Sequence, residues 1–344
     1  MKNYSQLLKT CERVSKLSEA VIDRKLMYFA DNNDRLGEQF FKRLAMYKHV
    51  ANELDESFTN FAASQYIVYE IFKARGLGKK YLQHSKLPAF SKEEMEYLKW
   101  NISNPWRFSY SIVLDSPEKD FYKMVDVFTH EEYLLYSKSV SQYLETTDAK
   151  LWFNLISFNG DCWQSFGPVI PFSGIIPDDL FFFVTELYPN AEIENEQDIY
   201  GLIDKNPVTF QMLFAFSNIP LVYSKGDLMI HTLAWMENFA LDTSRIKEDY
   251  IIEYNEGIYR CKLRNWEHPH FSTAYYEEEE KLLTLCALTD KGFEALFNSF
   301  QKHGFIITDE PDIRVTPVMV NAAQELLQKR ITINEYYELF AIDI

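Results

Sequence analysis

The sequence predicts an α+β protein in three parts: an N-terminal helical hairpin over residues 1–88, a central antiparallel β-sheet or small barrel over 89–175, and antiparallel strands with covering helices over 176–344. Two observations carry this reading. Apolar residues recur at helical spacing through the first quarter of the chain. Beyond it, short apolar runs follow one another across tight-turn residues, rather than alternating with helices as a parallel sheet requires.

In the first part Leu7, Cys11, Val14, Leu17 and Val21 fall on one helical face, and Phe40, Leu44, Tyr47, Leu54, Phe58 and Phe61 on a second. Asp31, Asn32, Asn33 and Asp34 break the run, and Gly76 and Gly78 end it. Such a hairpin packs as an arm on the rest of the chain, or pairs with a partner helix. Ser91 with Glu94 reads as a capping box opening a short helix that ends near Trp100.

Phe108, Tyr110, Ile112 and Leu114 then alternate with Arg107, Ser109 and Ser111, which is a strand, and Phe121–Phe128 follows after Ser116-Pro117. Residues 129–144 fit two descriptions. Thr129 and Glu132 suit a cap before Tyr133, Tyr136, Val140 and Tyr143, yet the same residues favour a strand. Leu151–Phe158 and Cys162–Ile170 flank Asn159-Gly160-Asp161, a hairpin signal. Pro177 with Asp178 and Asp179 opens a helix, and so does Asn206-Pro207. Hairpins are predicted around Lys225-Gly226-Asp227 and Asn255-Glu256-Gly257. Strands Phe271–Tyr276 and Leu282–Leu288 bracket Glu277–Glu280, and a helix through Phe293, Leu296, Phe297 and Phe300 closes at Gly304. Thr316 before Pro317, and Thr332 with Glu335, cap two final helices.

Composition excludes several classes. The 344 residues carry 35 Lys+Arg and 51 Asp+Glu, a net charge of 35 − 51 = −16, which repels phosphate backbones and disfavours nucleic acid as a partner. Glycine is scarce at 11 residues, and neither GxGxxG nor GxxxxGK[ST] occurs, so no phosphate-cradling loop is signalled. No run approaches the ~20 apolar residues of a membrane span. Cys11, Cys162, Cys261 and Cys286 are far apart, without a CxxC pair or a charged-then-apolar leader, and read as reduced thiols in a cytoplasmic setting.

His268-Pro269-His270 is the most pointed chemical feature, because alternate residues of an extended segment face one side and two imidazoles so placed can ligate a metal. Zinc wants three or four ligands, so Glu267, Cys261 or His231 would have to converge with them; otherwise the segment is a surface loop. His231 lies within an apolar run and reads as a core or pocket-edge histidine. His130-Glu131-Glu132 reads as a solvated helix start, Asp178-Asp179 as a helix N-terminus and Glu277–Glu280 as a charged turn. Cys162 and Cys261 read as small buried apolar residues. Trp106, Trp163 and Trp266 stand at strand ends or turns, where an aromatic ring can anchor a peptide, a sugar or a base.

The expectation is a non-catalytic interaction or regulatory protein acting through a protein partner or self-association, with no membrane and no cofactor. Two alternatives stand beside it: a hydrolase using a divalent metal on His268 and His270, and single-stranded nucleic-acid binding on the central β module. Elemental analysis tests the first alternative. A His268/His270 site gives about one transition metal per chain, lost when both histidines become alanine; no metal, or equal metal in both proteins, ends that reading.

Overall fold

The structure is a computed structural model. It describes residues 3–47, 49, 54–145, 151–167, 169–193, 195–216, 221–223, 226–266, 271–333, 336, 339 and 340. They form two compact units, Met1–Ser173 with Ala191–Asn218, and Gly174–Asn190 with Ile219–Ile344.

In the first unit, helix α1 (Tyr4–Ser18) is capped by the Asn3 side chain and runs through a π-helical stretch, Glu19–Leu26, into α2 (Met27–Asp34). The chain breaks at Arg35, whose left-handed backbone lies one residue past the polar run expected to break it. Then come α3 (Leu36–Leu44), α4 (Glu56–Phe72), α5 (Gly78–Leu82) and α6 (Lys92–Ser103). The Ser91/Glu94 capping box is complete, each side chain accepting from the other residue's backbone N–H. At Gly76 a Cβ would lie 2.6 Å from the Ile71 carbonyl oxygen, so the turn after α4 requires glycine.

Strands β1 (Arg107–Glu118), β2 (Phe121–Asp126), β3 (Glu132–Tyr136), β4 (Leu151–Phe158) and β5 (Trp163–Ser165) make a closed barrel in the order β1-β2-β3-β5-β4, shut by β1 pairing with β4; β6 (Ile170–Phe172) pairs with the start of β4. Every pairing is antiparallel except β3 with β5. Closure is possible because β1 serves two partners. Arg107–Ile112 pairs with β4, and residues from Ser111 to Glu118 pair with β2 across two irregularities that bend the strand. The ambiguous window 129–144 holds both predicted elements, β3 and then helix α7 (Lys138–Leu144).

Tyr122, Met124, Tyr133, Leu135, Trp152 and Ile156 share one buried cluster within the barrel sheet. Buried Asp126 accepts from Ser109 Oγ at 2.7 Å and from the Tyr200 hydroxyl at 2.6 Å, which ties the helix Asp198–Lys205 to the barrel. Burial holds the Tyr200 hydroxyl far above its ordinary pKa, so it remains a donor. On the opposite side of the β1 and β4 strands Phe108 stacks on Phe153 at 4.8 Å, and Tyr69 of α4 lies 4.6 Å from Phe108.

The remaining helices in chain order are α8 (Pro177–Leu187), α9 (Asp198–Lys205), α10 (Pro207–Met212), α11 (Thr243–Ile246), α12 (Asp290–Lys302) and α13 (Pro317–Leu327). The second unit is built on an antiparallel sheet in the order β12-β7-β11-β10-β9-β8. Its strands are β7 (His231–Met236), β8 (Tyr250–Asn255), β9 (Ile258–Leu263), β10 (Ser272–Glu277), β11 (Leu282–Ala287) and β12 (Ile313–Val315). The hairpin around Asn255-Glu256-Gly257 forms, with positive φ at Glu256 and Gly257. The one predicted around Gly226 shrinks to a single bridge, Val222 to Leu228. Helix α12 lays Phe293, Leu296 and Phe300 on Ala234, Ala274, Leu283 and Leu285. Among the described residues no helix is long and apolar enough to cross a membrane.

A buried carboxylate links two helix starts of this unit. Asp179 accepts from Ile176 N at 2.8 Å, Thr316 N at 2.7 Å and Thr316 Oγ1 at 3.0 Å, while Thr316 caps α13 through Met319 N. Burial pushes the Asp179 carboxyl up to about 7, against these donors, which pull it down. The folded state therefore holds the proton more tightly than the unfolded chain, whose carboxyl titrates near ~4. The associated stability is full below about pH 4 and is lost as pH rises through about 7. Urea unfolding should show wild type losing stability against Asp179→Asn across that window, by at most roughly 1.4 kcal/mol per pH unit. Asp179→Ala should cost about 2–3 kcal/mol by orphaning two buried N–H groups. A wild-type profile parallel to that of Asp179→Asn contradicts the assignment.

Candidate functional site

Strand alternation gives the second unit's sheet two faces, of which α12 covers one. The other presents Leu233 and Trp235 from β7, Thr284 from β11, Tyr275 and Glu277 from β10, and Arg260 from β9. Register places these residues side by side: Tyr275 faces Arg260 across one ladder and Thr284 across the next, and Thr284 faces Trp235. This face mixes apolar and charged side chains, and residues of the chain's own C-terminal segment pack on it.

Ile333, Tyr336 and Phe340 pack on Leu233, Tyr275 and Cys286. The Tyr336 ring stacks on Tyr275 at 4.6 Å with the planes 18° apart, and its hydroxyl donates to Glu277 Oε1 at 2.5 Å. Phe340 lies 6.0 Å from the Tyr275 ring and 5.3 Å from the Arg260 guanidinium, a cation–π contact. Two side chains hold the segment's main chain. Asn255 Nδ2 donates to the Leu339 carbonyl at 3.0 Å, and Arg260 Nη1 to the Phe340 carbonyl at 3.5 Å. Glu253 forms an ion pair with each of two cations, 3.5 Å from Arg260 and 3.1 Å from Lys262. The face thus stacks one ring, holds a second near a guanidinium, and binds two main-chain carbonyls through side-chain donors.

The sequence candidates fall elsewhere. His268 and His270, with Glu267, lie outside the described residues. His231 opens β7 opposite Val315, with its pKa lowered by burial. Among the described residues no group of three or more His, Cys, Asp or Glu is arranged to hold a metal. Cys261 is buried, its thiol pushed up to about 12. Trp106 is a core side chain, stacked on Phe72 at 4.9 Å with its indole N–H donating to Asn101 Oδ1 at 2.7 Å. Trp163 is half-buried with the Arg107 guanidinium 4.8 Å from its ring, and Trp266 packs against the α12 core. His130 is exposed and pairs with Glu196 at 2.8 Å.

Trp100 is the more exposed tryptophan of the first unit. It walls a cavity of about 250 Å³ between α1, α6 and the end of β4, with Arg13, Glu93 and Glu96 around it. The barrel has a second notable feature. Helix α1 lies on the outer β2–β3 face of the barrel, packing Tyr4, Leu7, Leu8 and Cys11 against Phe121, Leu134 and Tyr136. Outside this contact Lys123 of β2 pairs with Glu132 of β3 at 2.6 Å.

No protein-family model, curated protein or solved structure matches the chain. The residues of the sheet face therefore stand on their geometry. Sequence reading passed over Tyr275, Arg260, Tyr336 and Phe340; the only local signal was two aromatic residues spaced i, i+4 near the C-terminus, which looks like any helix stripe.

Tyr275→Ala removes both ring contacts under the segment. Trypsin acting at Lys329 or Arg330 should then release residues 331–344 about 5–10-fold faster than from wild type, the factor expected for one aromatic pair. An unchanged rate means the stack does not hold the segment.

Proposed function

We propose that the protein is a non-catalytic interaction protein of the cytoplasm whose second unit takes up a short aromatic peptide of a protein partner on the sheet face carrying Arg260, Tyr275 and Glu277. The supporting observation is the grip on Tyr336 and Phe340, in which the face holds main-chain carbonyls as well as rings. A core residue needs only the rings. Donors to carbonyls recognise backbone, and so suit any peptide bearing two aromatic residues at the same spacing. The segment fills the face in cis, where tethering gives it an effective concentration on the order of millimolar. A partner must outcompete it, so intact protein binds weakly until the segment is displaced.

Single-stranded nucleic acid is the weaker reading. The barrel face that would serve it carries α1, and the net charge of −16 opposes phosphate at long range.

Fluorescence anisotropy with a labelled synthetic peptide of residues 329–344 tests the proposal. Tyr336→Ala/Phe340→Ala, which frees the face, should bind the peptide at least ~10-fold more tightly than wild type, and Arg260→Ala added to that variant should weaken binding again. Equal binding by wild type and the double variant, or no effect of Arg260→Ala, contradicts the proposal.

A further inference from the structure

We propose that Cys11 and Cys162 form a redox-modification site, in which a two-electron oxidant of the hydroperoxide class joins them in a disulfide that fastens α1 to the turn between β4 and β5. The two sulfurs are 3.6 Å apart and both side chains are buried. They come from sequence positions 151 residues apart, brought together because α1 lies on the β2–β3 face of the barrel. A third side chain completes the site. Asn159 Nδ2 reaches Cys11 Sγ at 3.4 Å and Cys162 Sγ at 3.5 Å, and the amide is oriented by its own Oδ1, which accepts from Asp161 N at 3.0 Å and Cys162 N at 2.9 Å. A donor aimed at both sulfurs stabilises whichever becomes the thiolate. Gln164, buried beside them, donates to the Cys11 carbonyl at 3.2 Å and Ser15 Oγ at 2.8 Å, holding α1 in register with the pair.

The chemistry balances with hydrogen peroxide. One thiolate sulfur attacks a peroxide oxygen, the O–O bond breaks, and the departing hydroxide takes up the thiol proton as water, leaving a sulfenic acid. The second sulfur attacks the sulfenic sulfur, the S–S bond forms, the S–O bond breaks, and that hydroxide leaves with the second thiol proton as water. Two thiols are oxidised and one peroxide is reduced to two waters. The neighbouring Cys162 sulfur and burial keep the Cys11 thiol protonated in the closed state, so oxidation proceeds through a slight lifting of α1. The reduced protein holds α1 by packing and hydrogen bonds alone; the oxidised protein holds it covalently. This site is in the first unit and is independent of the peptide-binding proposal.

The test uses the full chain treated with hydrogen peroxide, then non-reducing peptide mapping and thermal unfolding. The expected result is a mass loss of about 2 Da per chain, a linked Cys11–Cys162 peptide reversed by dithiothreitol, and a Tm about 5–10 °C above that of the reduced chain, as a long closed loop implies. Cys11→Ser or Cys162→Ser should abolish the link, while Cys261→Ser should keep it. Should either serine variant fail to fold, the wild-type map alone decides. A treated wild-type chain in which Cys11 and Cys162 are unmodified, or separately oxidised to sulfinic acids, overturns the proposal, and so does a linked chain with an unchanged Tm.

Discussion

Strand β1 is shared between two partners, and the first unit depends on that. Because Arg107–Ile112 pairs with β4 while the stretch from Ser111 to Glu118 pairs with β2, the sheet curls until its ends meet. Alternation along the strands then puts one set of side chains inside and the other outside, and here the outer set too is rich in buried aromatic residues. Phe108, Tyr110 and Phe153 on one flank, and Phe121 and Tyr136 on another, could not face water without a large penalty. Helices α4 and α1 cover them. The N-terminal helices are in this sense a consequence of the barrel's outer surface.

The second unit meets the same requirement differently. Its sheet is open, and α12 covers one face with a regular apolar stripe. The other face carries Arg260, Lys262 and Glu277 among Leu233 and Tyr275, a mixture that a uniformly apolar helix would leave unsatisfied. A segment offering a tyrosine hydroxyl, two rings and exposed carbonyls satisfies it, and Tyr336, Leu339 and Phe340 do so. That match between polar donors and main-chain acceptors separates this cover from the packing under α12, and it is why the face is read as a site of recognition.

Much of the fold was legible because its signals are local. Ser91 with Glu94, Pro177 with Asp179, Thr316 before Pro317, and Asn159-Gly160 each specify a helix start or a turn through bonds that reach three residues or fewer, and each forms as expected. Residues 129–144 resisted assignment because two elements share the window: β3 ends at Tyr136 and Ser137 caps the helix that follows. Burial was legible only where strand closure did not intervene. Trp106 stands at a strand edge in the sequence, yet Phe72 and Asn101 enclose it. The candidate site was illegible for the same reason on a larger scale, since Tyr275 meets Tyr336, and Cys11 meets Cys162, only through tertiary proximity that spacing does not encode.

Native-state hydrogen–deuterium exchange on the unmodified chain distinguishes a cis-held peptide from a piece of core, because the two differ in how they open. Amides of 331–340 should exchange at least ~100-fold faster than those of β10 and β11, through an opening that leaves the sheet intact. Exchange of the segment at the same rate as the strands beneath it would show that it leaves the face only on unfolding of the unit, and would contradict a peptide-binding role for that face.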